Sequence, residues 1–400
     1  MARYLSAEEA ARRLGVSRAT LYAYVSRGLI RSQPGGKNRE RDYLAEDVER
    51  LLQRKEQRRN PAKAVQEALH WGAPVLDSSL CLIRDGRLFY RGHDAVELSR
   101  RAAFEQVTAL LWTGRMEEAE ALFHSPFSPP RALERLRGEL KGLSPVEAFQ
   151  AVLPFAAAQD LAAYDLSPPA VSQAATRVLR LLVTVATGHD PQARPLAEAL
   201  SRAWTRGTAA APLLDQALIL CAEHELNVSS FTVRCVASAG ATPYAAVLAG
   251  LCAFQGSRHG RMVERVEAFL REAEAAGARA ALAAHLRRGE GVPGFGHKIY
   301  PEGDPRGRAL LDALDARHGD APALALVREV VGQVQQELGQ QPTIDLGLAA
   351  LARVLGLPPG AAMGVYAIGR TAGWVAHALE EYRGGRLIRP RARYIGPTPP

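Results

Sequence analysis

The sequence predicts a mainly helical protein in which a small N-terminal domain precedes a much larger helical body. Long segments rich in alanine, leucine and valine, separated by glycine or proline, fill most of the chain beyond residue 103, and such segments are typical of buried helices. The first 60 residues differ, because they carry fourteen lysines and arginines against eight acidic residues. A length of 400 residues also indicates two or three domains.

The composition is that of an ordinary globular protein, with 47% hydrophobic and 23% charged residues. No run of eighteen apolar residues occurs, and the N-terminal stretch MARYLSAEEAARR lacks the apolar core of a signal peptide. We therefore expect a cytoplasmic protein without a membrane partner. The four cysteines form neither a CxxC pair nor a zinc-ligand pattern, so we interpret them as reduced thiols and expect no metal site: Cys81, Cys221, Cys235 and Cys252.

The positive charge is concentrated at the N-terminus, where residues 1–60 hold six of the eight net charges. A basic appendage on a near-neutral body indicates contact with nucleic acid. Only five of the fifty basic residues are lysines, so arginine is abundant along the whole chain. A single arginine therefore indicates little by itself.

Two short helices are predicted at the start of the chain. Ser6 and Glu9 have the spacing of a capping box, and the helix that they begin ends at Gly15. Ser17 can cap a second helix that runs to about residue 27. Two helices joined by a three-residue turn have the geometry of a helix-turn-helix, in which the second helix enters the DNA major groove.

A hairpin and a third helix are predicted next. The Pro-Gly-Gly sequence at 34–36 separates two short alternating runs, and apolar residues recur at helical spacing over 45–58. With AARRLGVSRATLYAYVSRGLI before the hairpin and YLAEDVERL after it, the region resembles a winged helix-turn-helix of the MerR or excisionase type. We predict a domain over 1–60, followed by a linker over 61–72.

This resemblance implies binding to double-stranded DNA, with side chains of the second helix at bases or phosphates and the hairpin on the DNA backbone. The alternative is that the motif serves only in packing or in contact with another protein. The residues that the resemblance places at DNA are Ser17, Arg18, Thr20 and Tyr22 of the second helix and Lys37 and Arg39 of the hairpin.

The body of the chain begins with one strand signal and continues with helix signals. Two apolar arms flank Asp85-Gly86, which is a strong β-hairpin pattern. Loops are predicted over 124–131 and 187–195. Helices are predicted over 103–113, 145–159, 170–186, 196–204, 210–224, 226–238, 243–254, 261–275, 306–316, 322–338, 343–355 and 360–380.

The stretch 291–306, GVPGFGHKIYPEGDPR, is the most unusual part of the body. Its three glycines and three prolines exclude a regular helix or a central strand. Backbone so bare of bulky side chains can approach a ligand closely, and His297, Lys298 and Arg306 could meet an anion or a carbonyl group. The alternative is an ordinary surface connection.

Three other polar groups interrupt apolar segments. His224, Asn227 and Phe231 would share one face of a helix, His259 lies between two glycines at a helix break, and Asp345 begins an apolar helix. Each has an ordinary alternative. The first histidine can be a satisfied core residue, the second a common loop residue, and the aspartate a partner of the helix dipole.

Taken in order, these motifs resemble the citrate synthase family. The series is HExNxS, GxxHG, PGFGHKIYPEGDPR, an aspartate, GRTAGW and RLIRPR, preceded by DGRLFYRGHDAVEL and FEQVTALLWTGR. The resemblance covers about residues 66–397 and implies a helical fold of two domains. The large domain would comprise 73–260 and 353–400, and the small domain, over 261–352, would close on it and exclude water.

In that family acetyl-CoA condenses with oxaloacetate, and the citryl-CoA formed is hydrolysed. This reaction needs a carboxylate base for a weakly acidic methyl proton and a hydrogen-bond donor for the developing enolate oxygen. The resemblance implies that Asp345 is the base, that His259 donates to the thioester oxygen and that His297 polarises the ketone. It also implies that the oxaloacetate carboxylates are held by His224, Arg306 and Arg370.

The resemblance further implies a homodimer, because Arg389 would reach into the site of the neighbouring subunit and bind oxaloacetate there. Acetyl-CoA would be a co-substrate, and no tightly bound cofactor is expected. Coenzyme A would lie along the loop formed by Val292, Pro293, Gly294, Phe295, Gly296 and Lys298.

The chain departs from the family pattern at three positions. Arg258 and Arg261 flank the loop histidine, where they favour a neutral imidazole and crowd the coenzyme A channel. Pro301 stands where some members carry a basic residue, and Lys298 is the residue that would substitute for it.

Two functions follow from the sequence. The first is a citrate synthase-like acyltransferase of the tricarboxylic acid cycle type, using acetyl-CoA or propionyl-CoA. These two substrates differ by one methylene, which changes the binding free energy in a pocket by only about 1–3 kcal/mol, so these residues do not distinguish between them. The second is a transcription regulator that uses the synthase-like body to sense coenzyme A esters or keto acids.

Overall fold

A computed structural model of the chain describes residues 4–35, 41–49, 51–52, 76–124, 127–192, 195–392 and 394–397. It divides into two compact units, residues 1–77 and 78–400. Residues 53–75 lie outside the described part, so the predicted domain end at residue 60 and the predicted linker stay predictions. The same holds for the division of the second unit into a large and a small domain.

The first unit contains the predicted helix-turn-helix, with α1 over Ala7–Leu14 and α2 over Arg18–Ser26. The capping box is confirmed, because the Ser6 backbone N–H donates to Glu9 Oε2 at 3.0 Å and the Glu9 N–H donates to Ser6 Oγ at 3.3 Å. Gly15 ends α1 in the left-handed conformation, with φ of 61°.

Three short strands complete this unit: β1 (Tyr4–Leu5), β2 (Ser32–Pro34) and β3 (Arg41–Leu44). They pair antiparallel in the order β1-β3-β2, so the predicted hairpin is present. The third helix begins at residue 45, and half of its predicted length to 58 lies outside the described residues. The core of the unit consists of Leu5, Ala10, Ala11, Leu14, Leu21, Ile30, Tyr43, Ala45 and Val48.

The second unit opens with an antiparallel sheet of β4 (Cys81–Arg84), β5 (Arg87–Tyr90) and β6 (His93–Asp94). Asp85 and Gly86 turn the first hairpin with φ of 51° and 70°, as an Asp-Gly turn requires. This confirms the hairpin prediction.

Within the described residues, the other regular elements of the second unit are α-helices, short 3₁₀ turns at Met116–Glu118 and Leu161–Tyr164, and an isolated β-bridge between Phe295 and Pro342. In chain order the helices are α3 (Ala95–Arg101), α4 (Phe104–Thr113), α5 (Ala119–Phe123), α6 (Arg131–Leu136), α7 (Pro145–Gln159), α8 (Pro168–Thr187), α9 (Leu196–Thr205), α10 (Ala211–Cys221), α11 (Val228–Ser238), α12 (Pro243–Phe254), α13 (Met262–Ala276), α14 (Ala278–Arg287), α15 (Pro305–His318), α16 (Pro322–Leu338), α17 (Ile344–Leu355) and α18 (Ala361–Gly384).

The last helix, α18, is buried along nearly its whole length and packs against α8, α10, α11 and α12. Gly373 permits this packing, because a Cβ there would lie 2.2 Å from the carbonyl oxygen of Ala222. The helix α18 is therefore the centre of a packed core, and its side chains face several elements at once.

Within the described residues, no helix has the length and apolar character needed to cross a membrane.

One local prediction is wrong. His224 does not lie on a helix face with Asn227 and Phe231, because α10 ends at Cys221 and α11 begins at Val228. The turn between them contains Glu225 in the left-handed conformation, with φ of 53°. Asn227 is the N-cap of α11, and its side chain accepts the Ser230 N–H at 3.1 Å. The preference of asparagine for this cap outweighs the helical spacing of the three residues.

Candidate active site

Two of the predicted histidines lie together beside a buried tyrosine. The rings of His224 and His297 are 5.5 Å apart, edge to face. The Tyr300 hydroxyl is 3.0 Å from His224 Nε2, and the Tyr300 ring is 4.9 Å from that of His297. Tyr300 was not predicted as a site residue, although it belongs to the stretch 291–306. It joins two histidines that are 73 positions apart in the sequence.

The loop that carries His297 is held by the segment before α17. Gly294 O accepts the Thr343 N–H at 2.9 Å, and the Gly296 N–H donates to Gln341 O at 2.9 Å. The His297 Nδ1 atom accepts the backbone N–H of Ile299 at 3.1 Å. A neutral His297 therefore carries its proton on Nε2, which is the nitrogen left to donate to a ligand.

The residues assigned to coenzyme A divide into two groups. Val292, Pro293, Gly294 and Phe295 are buried, whereas Gly296 and Lys298 are exposed. Gly294 meets its own neighbours closely, because a Cβ there would lie 2.7 Å from Val266 Cγ2. At this position the glycine makes room for core packing. The loop can contact a ligand through its backbone and through its exposed residues.

Arg306 is fixed by a buried carboxylate. Its Nε and Nη2 atoms donate to the two oxygens of Asp304 at 3.0 and 2.8 Å, and Asp304 also accepts the Ile344 N–H at 3.0 Å. Although burial opposes it, the charge of Arg306 lowers the pKa of Asp304. Asp304 was missed by sequence reasoning, and it ties the start of α15 to the start of α17, where Asp345 lies.

A glycine lets these two helix starts approach. A Cβ at Gly307 would lie 2.5 Å from the carbonyl carbon and oxygen of Thr343. No side chain fits there without moving the backbone. The close contact therefore places Arg306, on α15, near Asp345, on α17.

Two buried guanidinium groups keep unpaired N–H groups. Arg370 donates from Nε to the Cys221 carbonyl oxygen at 2.7 Å, but its Nη2 atom has no hydrogen-bond partner. The Nη1 atom of Arg306 also has none. The two residues are only 1% and 2% exposed. Buried donors are almost always paired, so this pair of unsatisfied groups indicates a site for an anion.

Asp345 lies in the first turn of α17, as predicted. The Thr343 hydroxyl donates to its Oδ2 atom at 3.1 Å. Burial raises the pKa of Asp345 to about 6, and Arg306 opposes this shift. A carboxylate with such a pKa is a stronger base than an exposed aspartate and is still largely ionised at neutral pH.

The third histidine, His259, lies in the break between α12 and α13. Its Nε2 atom is 2.8 Å from Ser229 Oγ, which also accepts the indole N–H of Trp374 at 3.1 Å. Burial and then the charge of Arg370 lower the pKa of His259 to about 4. Ser229 and Trp374 were not assigned roles from sequence, although they lie in the motifs HExNxS and GRTAGW.

The surroundings of all three histidines favour the neutral imidazole. Burial lowers the pKa values of His224 and His297, and the charge of Arg306 lowers both further. Neutral imidazoles beside buried arginines can donate hydrogen bonds without adding positive charge to the site. Within the described part of the chain, no three His, Cys, Asp or Glu side chains come together as metal ligands.

Other predicted residues lie outside this cluster. Arg389, Arg258 and Lys298 are exposed in the single chain, and Arg261 is half-buried. In the first unit, Ser17 caps α2 and its hydroxyl is 2.9 Å from that of Thr20. Arg18 forms an exposed ion pair with Glu8, and Tyr22 is 53% exposed. The predicted DNA contacts Lys37 and Arg39 lie outside the described residues.

The part of the chain that contains this cluster matches a known protein family. The family model "Citrate synthase, C-terminal domain" matches residues 68–391, which include the whole cluster. The chain belongs to the citrate synthase family. It is therefore an enzyme of the acyltransferase class, with a citrate or 2-methylcitrate synthase-like condensing activity. A second model, "Helix-turn-helix domain", matches residues 4–56.

Individual relatives agree with this family. The citrate synthase of Haloferax volcanii is 30% identical over 81% of this chain and 94% of its own length. A 2-methylcitrate synthase of Mycobacterium tuberculosis is 29% identical over 77% of this chain and 84% of its own length. The crystal structure of the citrate synthase from Thermotoga maritima superimposes with a TM-score of 0.70 at 24% identity, covering 82% of this chain and 95% of the other. The mainly helical citrate synthase fold is thus confirmed.

Proposed function

We propose that the chain condenses acetyl-CoA or propionyl-CoA with oxaloacetate and then hydrolyses the thioester product. One observation supports this proposal above all. The buried carboxylate of Asp345, whose pKa is raised, belongs to the same group of side chains as the unpaired N–H groups of Arg306 and Arg370 and the neutral histidines. The arginines suit a dicarboxylate, and the carboxylate suits removal of a proton next to a carbonyl group.

Oxaloacetate binds first in this proposal. The free N–H groups of Arg306 and Arg370 donate to its carboxylates, and His224, fixed by Tyr300, donates to the same ligand. His297 donates from Nε2 to the ketone oxygen, which makes the ketone carbon more electrophilic. Each of these donors is already in place, so little reorganisation is needed when the ligand binds.

Asp345 then removes a proton from the carbon next to the thioester carbonyl of the acyl-CoA. His259 stabilises the enolate oxygen by a hydrogen bond. The enolate carbon attacks the ketone carbon, and the oxygen that becomes negative takes the proton that His297 donates. Water then cleaves the thioester, which releases coenzyme A and the tricarboxylate. Coenzyme A is proposed to lie along residues 292–296 and at Lys298.

We also propose a homodimer in which Arg389 of the partner subunit completes each site. The exposure of Arg389 in the single chain supports this, because an arginine meant for a neighbouring site cannot be buried in its own. Analytical ultracentrifugation tests the proposal, and a monomer with full activity would contradict it.

The test of the reaction is release of free coenzyme A from purified protein given oxaloacetate with either acyl-CoA. We expect turnover whose kcat/KM for the acyl-CoA falls about tenfold for each pH unit below about 6, since only ionised Asp345 accepts the proton. Above that pH the value should be level until another group titrates. No coenzyme A release with either acyl-CoA, or a profile flat from pH 7 to 4.5, contradicts the proposal.

A second candidate function is binding of double-stranded DNA through the first unit. The exposed side of α2, with Arg18 and Tyr22, supports it together with the match to a helix-turn-helix model over 4–56. A chain with both functions would regulate transcription according to its substrates.

Replacing Arg18 by alanine is expected to weaken DNA binding and to reduce the slope of log affinity against log salt by about 1, the loss of one phosphate contact. Fluorescence anisotropy of the full chain with selected duplexes measures both, with and without oxaloacetate and coenzyme A. Arg100→Ala, which removes an exposed arginine paired with Glu97 on α3, is the matched control. Equal affinity of both variants, or binding no tighter than to random duplex, contradicts this function.

A further inference from the structure

A buried carboxyl group and a buried histidine contact each other directly behind the candidate active site. Glu223 Oε1 is 3.1 Å from His377 Nε2, and both residues are 0% exposed. Glu223 Oε2 and His377 Nδ1 have no hydrogen-bond partner within the described residues. Burying such a pair costs free energy, and two apolar side chains of similar size often cost less. Glu223 directly precedes the site residue His224, and this position indicates what the pair does.

Two residues of α18 hold the turn that follows α10, one at each end. Arg370 Nε donates to the Cys221 carbonyl oxygen at 2.7 Å, and His377, seven positions later, contacts Glu223. Residues seven positions apart lie on the same face of a helix, so both contacts come from the face of α18 that carries Arg370. The turn is therefore bound to α18 up to the residue before His224.

A glycine and a tyrosine complete this attachment. A Cβ at Gly373 would lie 2.2 Å from both Ala222 O and Glu223 Oε2, so a side chain there would displace the carboxyl group. The Tyr90 hydroxyl oxygen is 3.1 Å from Glu223 O and accepts the Glu223 N–H at 3.3 Å. The backbone of Glu223 is thus held by Tyr90 and its side chain by His377.

The position of His224 matters because its ring lies close to two guanidinium groups. Burial lowers the pKa of His224, and the charges of Arg306 and Arg370 lower it further. The Nε2 atom of His224 is also 3.0 Å from the Tyr300 hydroxyl. In the proposed function the histidine and the two arginines hold one dicarboxylate, so their separations must match those of the ligand.

We propose that His377 is a positioning residue that holds His224, through Glu223, at a fixed place relative to Arg370. The inference rests on the proposed function, because oxaloacetate is the ligand that His224 and Arg370 share there. A hydrogen bond is directional, whereas an apolar contact is not, so the polar pair fixes the turn more closely than its apolar equivalent would. A single helix then sets two contacts of the ligand.

Replacing His377 by leucine tests the proposal, because leucine fills a similar volume without the hydrogen bond to Glu223. We expect the Kd of oxaloacetate to rise about tenfold, as for weakening one hydrogen bond to a charged group. The KM for the acyl-CoA at saturating oxaloacetate should not change. His377→Gln, whose amide can donate to Glu223, should recover most of the loss. Isothermal titration calorimetry measures the Kd, and a wild-type value in His377→Leu overturns the proposal.

Glu381→Gln is the matched control. Glu381 is buried one turn further along α18 and forms an ion pair with Arg234 of α11, away from the turn. Arg234 also pairs with Glu380 at 3.1 Å and would keep that partner, so we expect the variant to fold. It should lose some stability and keep its affinity for oxaloacetate. An equal loss of affinity in Glu381→Gln and His377→Leu would overturn the proposal.

A double variant separates positioning from stability. His377→Leu leaves Glu223 buried without its partner, and adding Glu223→Met removes that cost. The double variant should therefore regain much of the melting temperature that His377→Leu loses, and it remains measurable if the single variant does not fold. Its affinity for oxaloacetate should stay low. An affinity that returns together with the melting temperature would show that the pair serves stability alone.

Crystal structures without ligand distinguish this proposal from the proposed function. In the double variant we expect His224 Nε2 to lie beyond hydrogen-bonding distance of the Tyr300 hydroxyl, and in Glu381→Gln to retain that contact. A His224 ring that keeps its wild-type place in the double variant overturns the proposal. A wild-type chain that binds no oxaloacetate contradicts the proposed function instead, and the displacement of His224 is measured in either case.

Discussion

Asp345→Asn is expected to lower kcat by about 10²–10⁴-fold, the range for losing a positioned general base. The amide retains the size of the side chain and can still accept the Thr343 hydroxyl, which is 3.1 Å from Asp345 Oδ2. It cannot accept a proton from the acyl carbon. Release of coenzyme A at pH 8 measures the effect.

The same substitution should stabilise the fold. The pKa of Asp345 rises from 3.8 unfolded to about 6 folded, so the folded state binds the extra proton and loses stability as the pH rises through this window. Above pH 6 the wild-type protein therefore carries an unfavourable buried charge that the asparagine variant lacks. We expect the free energy of unfolding of the variant to be higher by about 1–3 kcal/mol at pH 8, and less at pH 5.

The control is Asp312→Asn, at an exposed position of α15. It should change neither kcat nor the melting temperature. A variant at position 345 that retains a tenth of the wild-type rate, or that melts below the wild-type protein at pH 8, contradicts the role given to this carboxylate.

Arg370→Gln should weaken the binding of oxaloacetate by at least about 30-fold, since truncating a buried charged partner usually costs about 2–5 kcal/mol. The glutamine can reach the Cys221 carbonyl oxygen, to which Arg370 Nε donates at 2.7 Å, but it lacks the charge and the free Nη2 donor. Isothermal titration calorimetry with oxaloacetate alone measures the loss without depending on turnover.

Arg383→Gln is the matched control, because Arg383 lies on the same helix, α18, but is exposed. Its affinity for oxaloacetate should equal that of the wild-type protein. Equal affinities for the Arg370 and Arg383 variants would show that the unpaired guanidinium group is not a carboxylate site. Arg306 is less suited to this experiment, because removing it also leaves Asp304 buried without its partner.

Local signals predicted the helices well where the chain marks their ends. The predicted bounds of α7 are those observed, because Ser144 and Glu147 form a capping box and proline follows the cap. Four of the helices within the described residues were not predicted. Three of them have only five to seven residues, too short for a periodic pattern, and the fourth continues an alanine-rich stretch without a clear apolar face: α3, α5, α6 and α14.

The sequence named the candidate site residues but not the contacts between them. The order of motifs named the histidines, the arginines and the aspartate. It did not reveal that Asp304 accepts the Ile344 N–H, or that Arg370 donates to Cys221 O, 149 positions away. Such contacts depend on which helices cross, and this depends on small residues such as Gly307 that permit a close approach. The periodicity of apolar residues in the sequence does not show which helices cross.

The two unpaired guanidinium groups have a consequence for the life of the protein in a cell. In the proposed function these buried donors bind a dicarboxylate, and a ligand that binds only the folded chain adds to its folding free energy by an amount that grows with the logarithm of the ligand concentration. Proteases remove unfolded chains, so depletion of the keto acid would shorten the half-life of the enzyme. Substrate supply would then set how much enzyme persists as well as how fast it works.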